Sequence, residues 1–271
     1  MFKKNRRLAL SICSLLFLVT SAHSDHLTLY VPIMDDSPQQ HLFFHDLLNR
    51  ALKEAGHELT LVSKKLPQLR IKKYMDEGEL SIFWALESAA LNKKYIPIKV
   101  GLTDGFIGKR VLLIKEGDQF LYDSVKNLND FQQLNLVAGM GRGWFDVDIW
   151  EKNQLKYKES SGNWKSIFKM IPYGRDYHYI SRGVNEIISE ATQYPDLEIE
   201  KKLVFIYDRD FYFYLSKTGT HSGNEFKNII EKAMINAEKS GLIKKLNEKY
   251  WPDVLKQLNY DSRIKIHLEM P

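Results

Sequence analysis

The chain of 271 residues has one cysteine, Cys13, and it lies inside an N-terminal apolar run. Everything after that run lacks a thiol, which excludes a disulfide framework, a cysteine nucleophile and a thiolate metal site there. Beyond that first run there is no second long apolar stretch, no low-complexity tract and no internal repeat. No HExxH, no GxSxG and no phosphate loop ending in Gly-Lys-Ser/Thr occurs, so the common signatures of zinc proteases, α/β hydrolases and nucleotide-binding loops are missing. His41 and His45 are four apart with Asp46 beside them, a spacing that suits a metal, but no third ligand can be assigned. Catalytic residues, a metal and a cofactor are therefore not expected.

What is present begins with a leader. Lys3, Lys4, Arg6 and Arg7 precede an apolar run from Leu8 to Ala22, and Ala22-His23-Ser24 fits a small-x-small cleavage site. The run is shorter than the roughly 20 residues that span a bilayer. Residues 1–24 read as a cleavable signal peptide, and the mature chain as periplasmic. Four of the 39 Lys and Arg lie in that leader, leaving 35 against 34 acids, so the mature chain is near +1 rather than +5. A near-neutral chain has no broad basic footprint, and neither nucleic acid nor an anionic membrane surface is expected as a partner.

The remaining residues, 25–271, alternate in pattern. LTLYVPI (27–33), HELTLVS (57–63) and LSIFWAL (80–86) read as strands. QHLFFHDLLNRALKEAG (40–56) and LPQLRIKKYMDEG (66–78) have helical apolar spacing and end on glycine. Strand–helix–strand–helix–strand predicts an α/β unit. A second such unit runs through LNLVAGMG (134–141) and GRDYHYISRGVNEI (174–187). Extended stretches near 107–117 and 203–217 predict two crossings between the units, hence a hinge and a cleft. NEFKNIIEKAMINAEKSGLIKKLNEKYW (224–251) reads as helix broken at Gly241.

EKSGLIKKLNEKYWPD and SIFKMIPYGRDYHYISR, in this order and spacing, resemble the closing pattern and the second-lobe segment of the bacterial periplasmic solute-binding proteins of the amino-acid-binding type. The likeness covers essentially the whole mature chain. It is similar in particular to a subgroup marked by GLTDGFIGKRVLLIKEGD, GMGRGWFDVDIWEKNQL and GRDYHYISRGVNEI. The resemblance implies a two-lobed, type 2 periplasmic-binding fold with two hinge crossings and a ligand cleft between lobes. The expected layout is a first lobe from 25–112 and 208–271 around a second lobe, 113–207. Two departures argue against an ordinary α-amino acid. ESAALNKKYIPIKVGL lacks the Arg with which such proteins grip an α-carboxylate, and Ser181-Arg182 stands where an Asp usually holds the α-ammonium.

Candidate ligand residues come from strand ends, because an open sheet delivers its C-terminal residues to the crevice. Arg182, followed by Gly183, can fork onto a carboxylate or phosphate; it can equally pair with Glu186 one helical turn on. In GMGRGW (139–144), Gly141 and its neighbouring glycines allow backbone N–H groups to converge and Arg142 adds charge, while Trp144 offers a ring; the alternative is a plain reversing turn. Asp146 reads as a helix N-cap. Ser181, Tyr30, Trp84 and Glu87 complete the set, with Trp84 able to stack on a ligand or sit in the core. If Arg142 and Arg182 share the cleft, the ligand is anionic or zwitterionic. The expected function is a monomeric, non-enzymatic binder of a small polar solute that serves an ABC-type permease. A membrane sensor as partner, or a dehydratase-like enzyme on the same fold, are the alternatives.

Overall fold

The computed structural model describes residues 25–34, 41–160 and 162–271; the signal peptide expected at 1–24 lies outside them. In the first lobe, alternation in HLTLYVPIM turns Leu27, Leu29 and Val31 inward, and His26–Met34 forms β1. Helix α1 (His41–Glu54) buries Phe43, Leu47, Leu48, Ala51 and Leu52 as their spacing predicts, but Leu42, expected on the same face, is exposed and Phe44 is buried in its stead. β2 (Glu58–Leu66) lies parallel to β1 from His26↔Glu58 to Met34↔Leu66. Then follow α2 (Gln68–Asp76), β3 (Ile82–Leu86), α3 (Ala89–Lys94) and β4 (Ile96–Ile98). Ser88 caps α3, its hydroxyl accepting from the Leu91 N–H at 3.3 Å.

The chain passes through 99–108 into the second lobe. Its elements are β5 (Lys109–Lys115), α4 (Leu128–Gln133), β6 (Ala138–Gly141), α5 (Asp146–Lys152), β7 (Tyr157–Ser160), α6 (Ser166–Met170), β8 (Tyr179–Gly183), α7 (Val184–Gln193), β9 (Leu197–Ile199) and β10 (Leu203–Ile206). β5 shows why this sheet is covered on both faces. Val111 and Leu113 enter one core with Ile180 and Val204, while Leu112 and Ile114 enter another with Tyr179 and Phe205. An unbroken apolar run such as Val111 to Ile114 fits such a sandwiched place.

The long aromatic stretch 203–217 is two strands, not one. β10 belongs to the second lobe, whereas β11 (Phe211–Leu215) runs antiparallel between β3 and β4 in the first; residues 207–210 are the return crossing. Helices α8 (Lys227–Lys239) and α9 (Leu242–Tyr250) then pack on α1, separated at Gly241 with φ +76, a left-handed turn that glycine adopts without strain.

A third passage follows that the sequence reading did not anticipate. α10 (Val254–Gln257) buries Val254 in a second-lobe core, and β12 (Ile264–His267) lies parallel to β10. The larger sheet thus has the order β12-β10-β5-β8-β6-β7, with β9 also on β5. Where 208–271 was expected to stay with the first lobe, its last stretch covers the open edge of β10 and buries Ile266 and Leu268 there. Among the described residues no helix is long and apolar enough to cross a membrane.

His45 on α1 is packed edge-on against Trp84, with ring centroids 5.7 Å apart. Burial, then the charge of His41, lowers its pKa to about 4, against a hydrogen bond to the Pro32 backbone. The folded protein therefore binds fewer protons here than the unfolded chain between the ordinary histidine value and about 4. Stability present above pH ~6.5 should fall as pH drops through that window, by up to about 3 kcal/mol from this group. Urea midpoints at pH 7.5 and 4.5 check this: His45→Leu should flatten the dependence, and an unchanged slope would place the titration elsewhere.

Candidate functional site

A cavity of about 760 Å³ opens between the lobes. The first lobe contributes Met34 at the end of β1, Trp84 to Leu86 from β3 and Ser88 before α3; Arg209 and Phe211 enter from the return crossing. The second lobe contributes Arg110, Trp144, Asp146, Trp164, Arg182 and Glu186.

The second-lobe wall is a buried charge cluster. Arg110, 2% exposed, meets Asp146 at 2.7 Å and Glu186 at 3.5 Å, and donates to the Ser181 carbonyl at 2.9 Å. Arg182 donates from Nε and Nη2 to the two oxygens of Glu190 at 2.7 and 2.8 Å, and meets Glu186 at 2.9 Å. Its guanidinium also lies 5.1 Å from the Trp144 ring and 4.8 Å from the Trp164 ring. Burial alone would lower the pKa of both arginines; the carboxylates overcome it and hold both above the usual guanidinium value. Burial pushes Glu190 up, with Arg182 pulling it back down. The Tyr207 hydroxyl donates to Asp146 at 3.1 Å. Two guanidiniums thus face three carboxylates, one negative charge in excess.

The hinge has its own fixed point. Asp210 accepts from the Thr103 hydroxyl at 2.6 Å, the Phe211 N–H at 2.7 Å, the Gly105 N–H at 2.9 Å and the Thr103 N–H at 3.1 Å. One carboxylate therefore ties the outgoing crossing to the return crossing.

Several solved structures share this fold. An ancestral arginine-binding protein bound to glutamine superposes with a TM-score of 0.61 at 16% identity, over 83% of this chain and 98% of its own. An amino acid ABC transporter substrate-binding protein from Streptococcus pneumoniae, bound to L-arginine, gives 0.59 at 12%, over 82% and 93%. The chain has the two-lobed periplasmic-binding fold. The GluR0 ligand-binding core from Nostoc punctiforme, in complex with L-glutamate, shares it too, with a TM-score of 0.55 at 13% identity over 83% and 99%. No protein-family model matches the sequence, and no curated protein does.

Within this periplasmic-binding fold the expected site residues separate. Trp84, Trp144 and Arg182 do line one inter-lobe cavity. Arg182, however, has its charge already matched by Glu186 and Glu190, the structural pairing that stood as the alternative reading. Arg142 is exposed and absent from the cavity wall, so Arg142 and Arg182 do not share the cleft. Gly141 serves close packing: a Cβ there would fall 2.3 Å from the Trp144 ring, which folds back over it. Ser181 is buried and acts through its carbonyl on Arg110. Trp84 lines the cavity but its ring face is stacked on Phe44 at 4.5 Å, so it is a core residue with one edge in the wall. Glu87 pairs with Arg209 at 2.8 Å and accepts from Asn92 at 2.6 Å, outside the cavity wall. Tyr30 sits mid-strand, stacked on His221 at 3.6 Å; Met34 is the β1 residue that reaches the cleft. Asp146 is the first residue of α5, not its N-cap, and is spent on Arg110 and Tyr207.

Sequence reading missed Glu190, Trp164, Tyr207 and the weight of Arg110. One signal was available: Arg182, Glu186 and Glu190 recur every fourth residue, which stacks the two acids on one face of α7. Among the described residues no group of three or more His, Cys, Asp or Glu is placed to hold a metal ion.

Proposed function

We propose that the protein is a periplasmic solute-binding protein whose lobes close over a small polar solute bearing a positive charge, alone or as part of a zwitterion. The observation that carries this reading is the cavity shared by both lobes, with three carboxylates and two guanidiniums built into one wall. Asp148 and Glu159 add negative charge at the same cavity against Lys72, while Arg209, the other cation of the lining, is already matched by Glu87. This charge count favours a cation over the anionic guest expected from the sequence. Solute contacts both lobes only in the closed form, so binding shifts the population toward closure without any chemistry on the solute. The leader at 1–24 supports export, and the fold supports a membrane permease or sensor as the recipient.

The test is a thermal-shift and calorimetric screen of the protein against cationic amino acids, polyamines, neutral zwitterions, dicarboxylates and sugar acids. A true ligand at 100 times its Kd adds about 2.7 kcal/mol of stability. Hits should be cationic or zwitterionic, and Trp144→Ala should weaken them about tenfold, the scale of one desolvated cation–ring contact. Hits confined to dicarboxylates or sugar acids would overturn the charge argument.

A further inference from the structure

A second cavity, of about 650 Å³, shares no lining residue with the cleft. Its walls come from the outgoing crossing, from α9 and from the segment around α10 that makes the third passage. On α9, positions 243, 246, 247 and 250 form one face, and the period calls for apolar residues there. Ile243, Leu246 and Tyr250 comply; Asn247 does not. Asn247 is 2% exposed, lines this cavity, and neither its amide nitrogen nor its amide oxygen has a hydrogen-bond partner among the described residues. A buried amide that breaks the local pattern without an internal partner calls for a partner of another kind.

Two further features give that partner a character. Phe106 and Trp251, with centroids 6.4 Å apart, and Tyr260 supply ring surface. Asp104, Glu248, Asp253 and Asp261 outnumber Lys244 and Lys256 around the opening. Three of the five described non-glycine residues with positive φ, Asp104, Asp253 and Asn259, also line this one cavity, and such backbone conformations concentrate where the surrounding structure holds a site in shape.

We propose that this cavity is a second small-molecule site, in which the Asn247 carboxamide pairs with an amide of a cationic, aromatic ligand. The ligand's amide N–H donates to the Asn247 oxygen and its carbonyl accepts from the Asn247 N–H, a reciprocal pair that uses both free groups. Its ring lies against the aromatic wall and its ammonium faces the acidic opening. The proposal does not depend on the cleft being a solute site.

Calorimetry with three probes tests it: L-phenylalaninamide, N-acetyl-L-phenylalaninamide and N-acetyl-L-phenylalanine. Saturable 1:1 binding is expected, tightest for the cationic amide and weakest for the carboxylate. Asn247→Leu should weaken it at least tenfold while melting at or above the wild-type temperature, since an apolar side chain suits that face of α9. Asp253→Asn, whose side chain tolerates the φ of +52, should narrow the preference for the cationic over the neutral amide about threefold. Heat removed by Trp144→Ala belongs to the cleft, and heat removed by Asn247→Leu to this cavity. Equal binding by wild type and Asn247→Leu, or no saturable binding of any probe to the wild type, overturns the proposal.

Discussion

Replacing Arg182 with methionine is expected to destabilise the protein by about 3–5 kcal/mol, the usual cost of removing one partner from a buried ion pair. Arg182 is 6% exposed and holds Glu190 through two hydrogen bonds and Glu186 through a third close contact. Without it Arg110 is left to balance Asp146, Glu186 and Glu190 alone. The sign of the pH dependence follows from that imbalance. Burial already pushes Glu190 above the ordinary glutamate range, and Arg182 is what restrains it. In the variant its folded pKa rises further above the unfolded value, so the folded form gains protons that the unfolded chain does not take up. The penalty should therefore be largest near pH 8 and shrink toward pH 5. Adding Glu190→Gln should recover part of the loss at pH 8, because it removes the stranded charge. Urea unfolding of the two variants and wild type at both pH values checks all of this. A variant as stable as wild type that no longer binds solute would instead make Arg182 a ligand contact.

Asp210→Ala is the other large effect, a loss of at least about 3 kcal/mol, or a fall in Tm of about 10 °C for a chain of this size. Its carboxylate satisfies three backbone N–H groups and the Thr103 hydroxyl, and alanine leaves those donors unmatched. Glu87 N–H also donates to the Asp210 carbonyl at 3.0 Å, so the same residue ties the end of β3 to the crossing. The effect should be local as well as global. Hydrogen exchange at the Thr103 and Gly105 amides should speed up far more than exchange in β5. Amides that stay protected in the variant would show that another contact holds the crossing.

The helices and strands of both lobes were legible because their patterning is local. Apolar spacing marked most of the buried face of α1, and Gly241 marked the break between α8 and α9. The crossings were legible only approximately. FIYDRDFYF reads as one extended aromatic run, and nothing local says that β10 and β11 join different sheets. The third passage was hidden for the same reason: β12 is four residues long and is fixed by the edge of β10, about 60 residues earlier in the chain.

The candidate site divides along that line. Sequence alone determined the alternating α/β units, the hinge-and-cleft plan, the placing of Arg182 at the C-terminal end of a strand, and the absence of thiol chemistry after Cys13. Tertiary structure decided what Arg182 is for. A guanidinium at a strand end is free to grip a guest only if no carboxylate of its own chain reaches it first. Glu190 reaches it through the turns of α7, and Arg110 brings in Asp146 from α5. Whether a charge is available to a ligand depends on the sum of every charged group that folding brings within a few ångströms, and that sum is a property of the packed molecule.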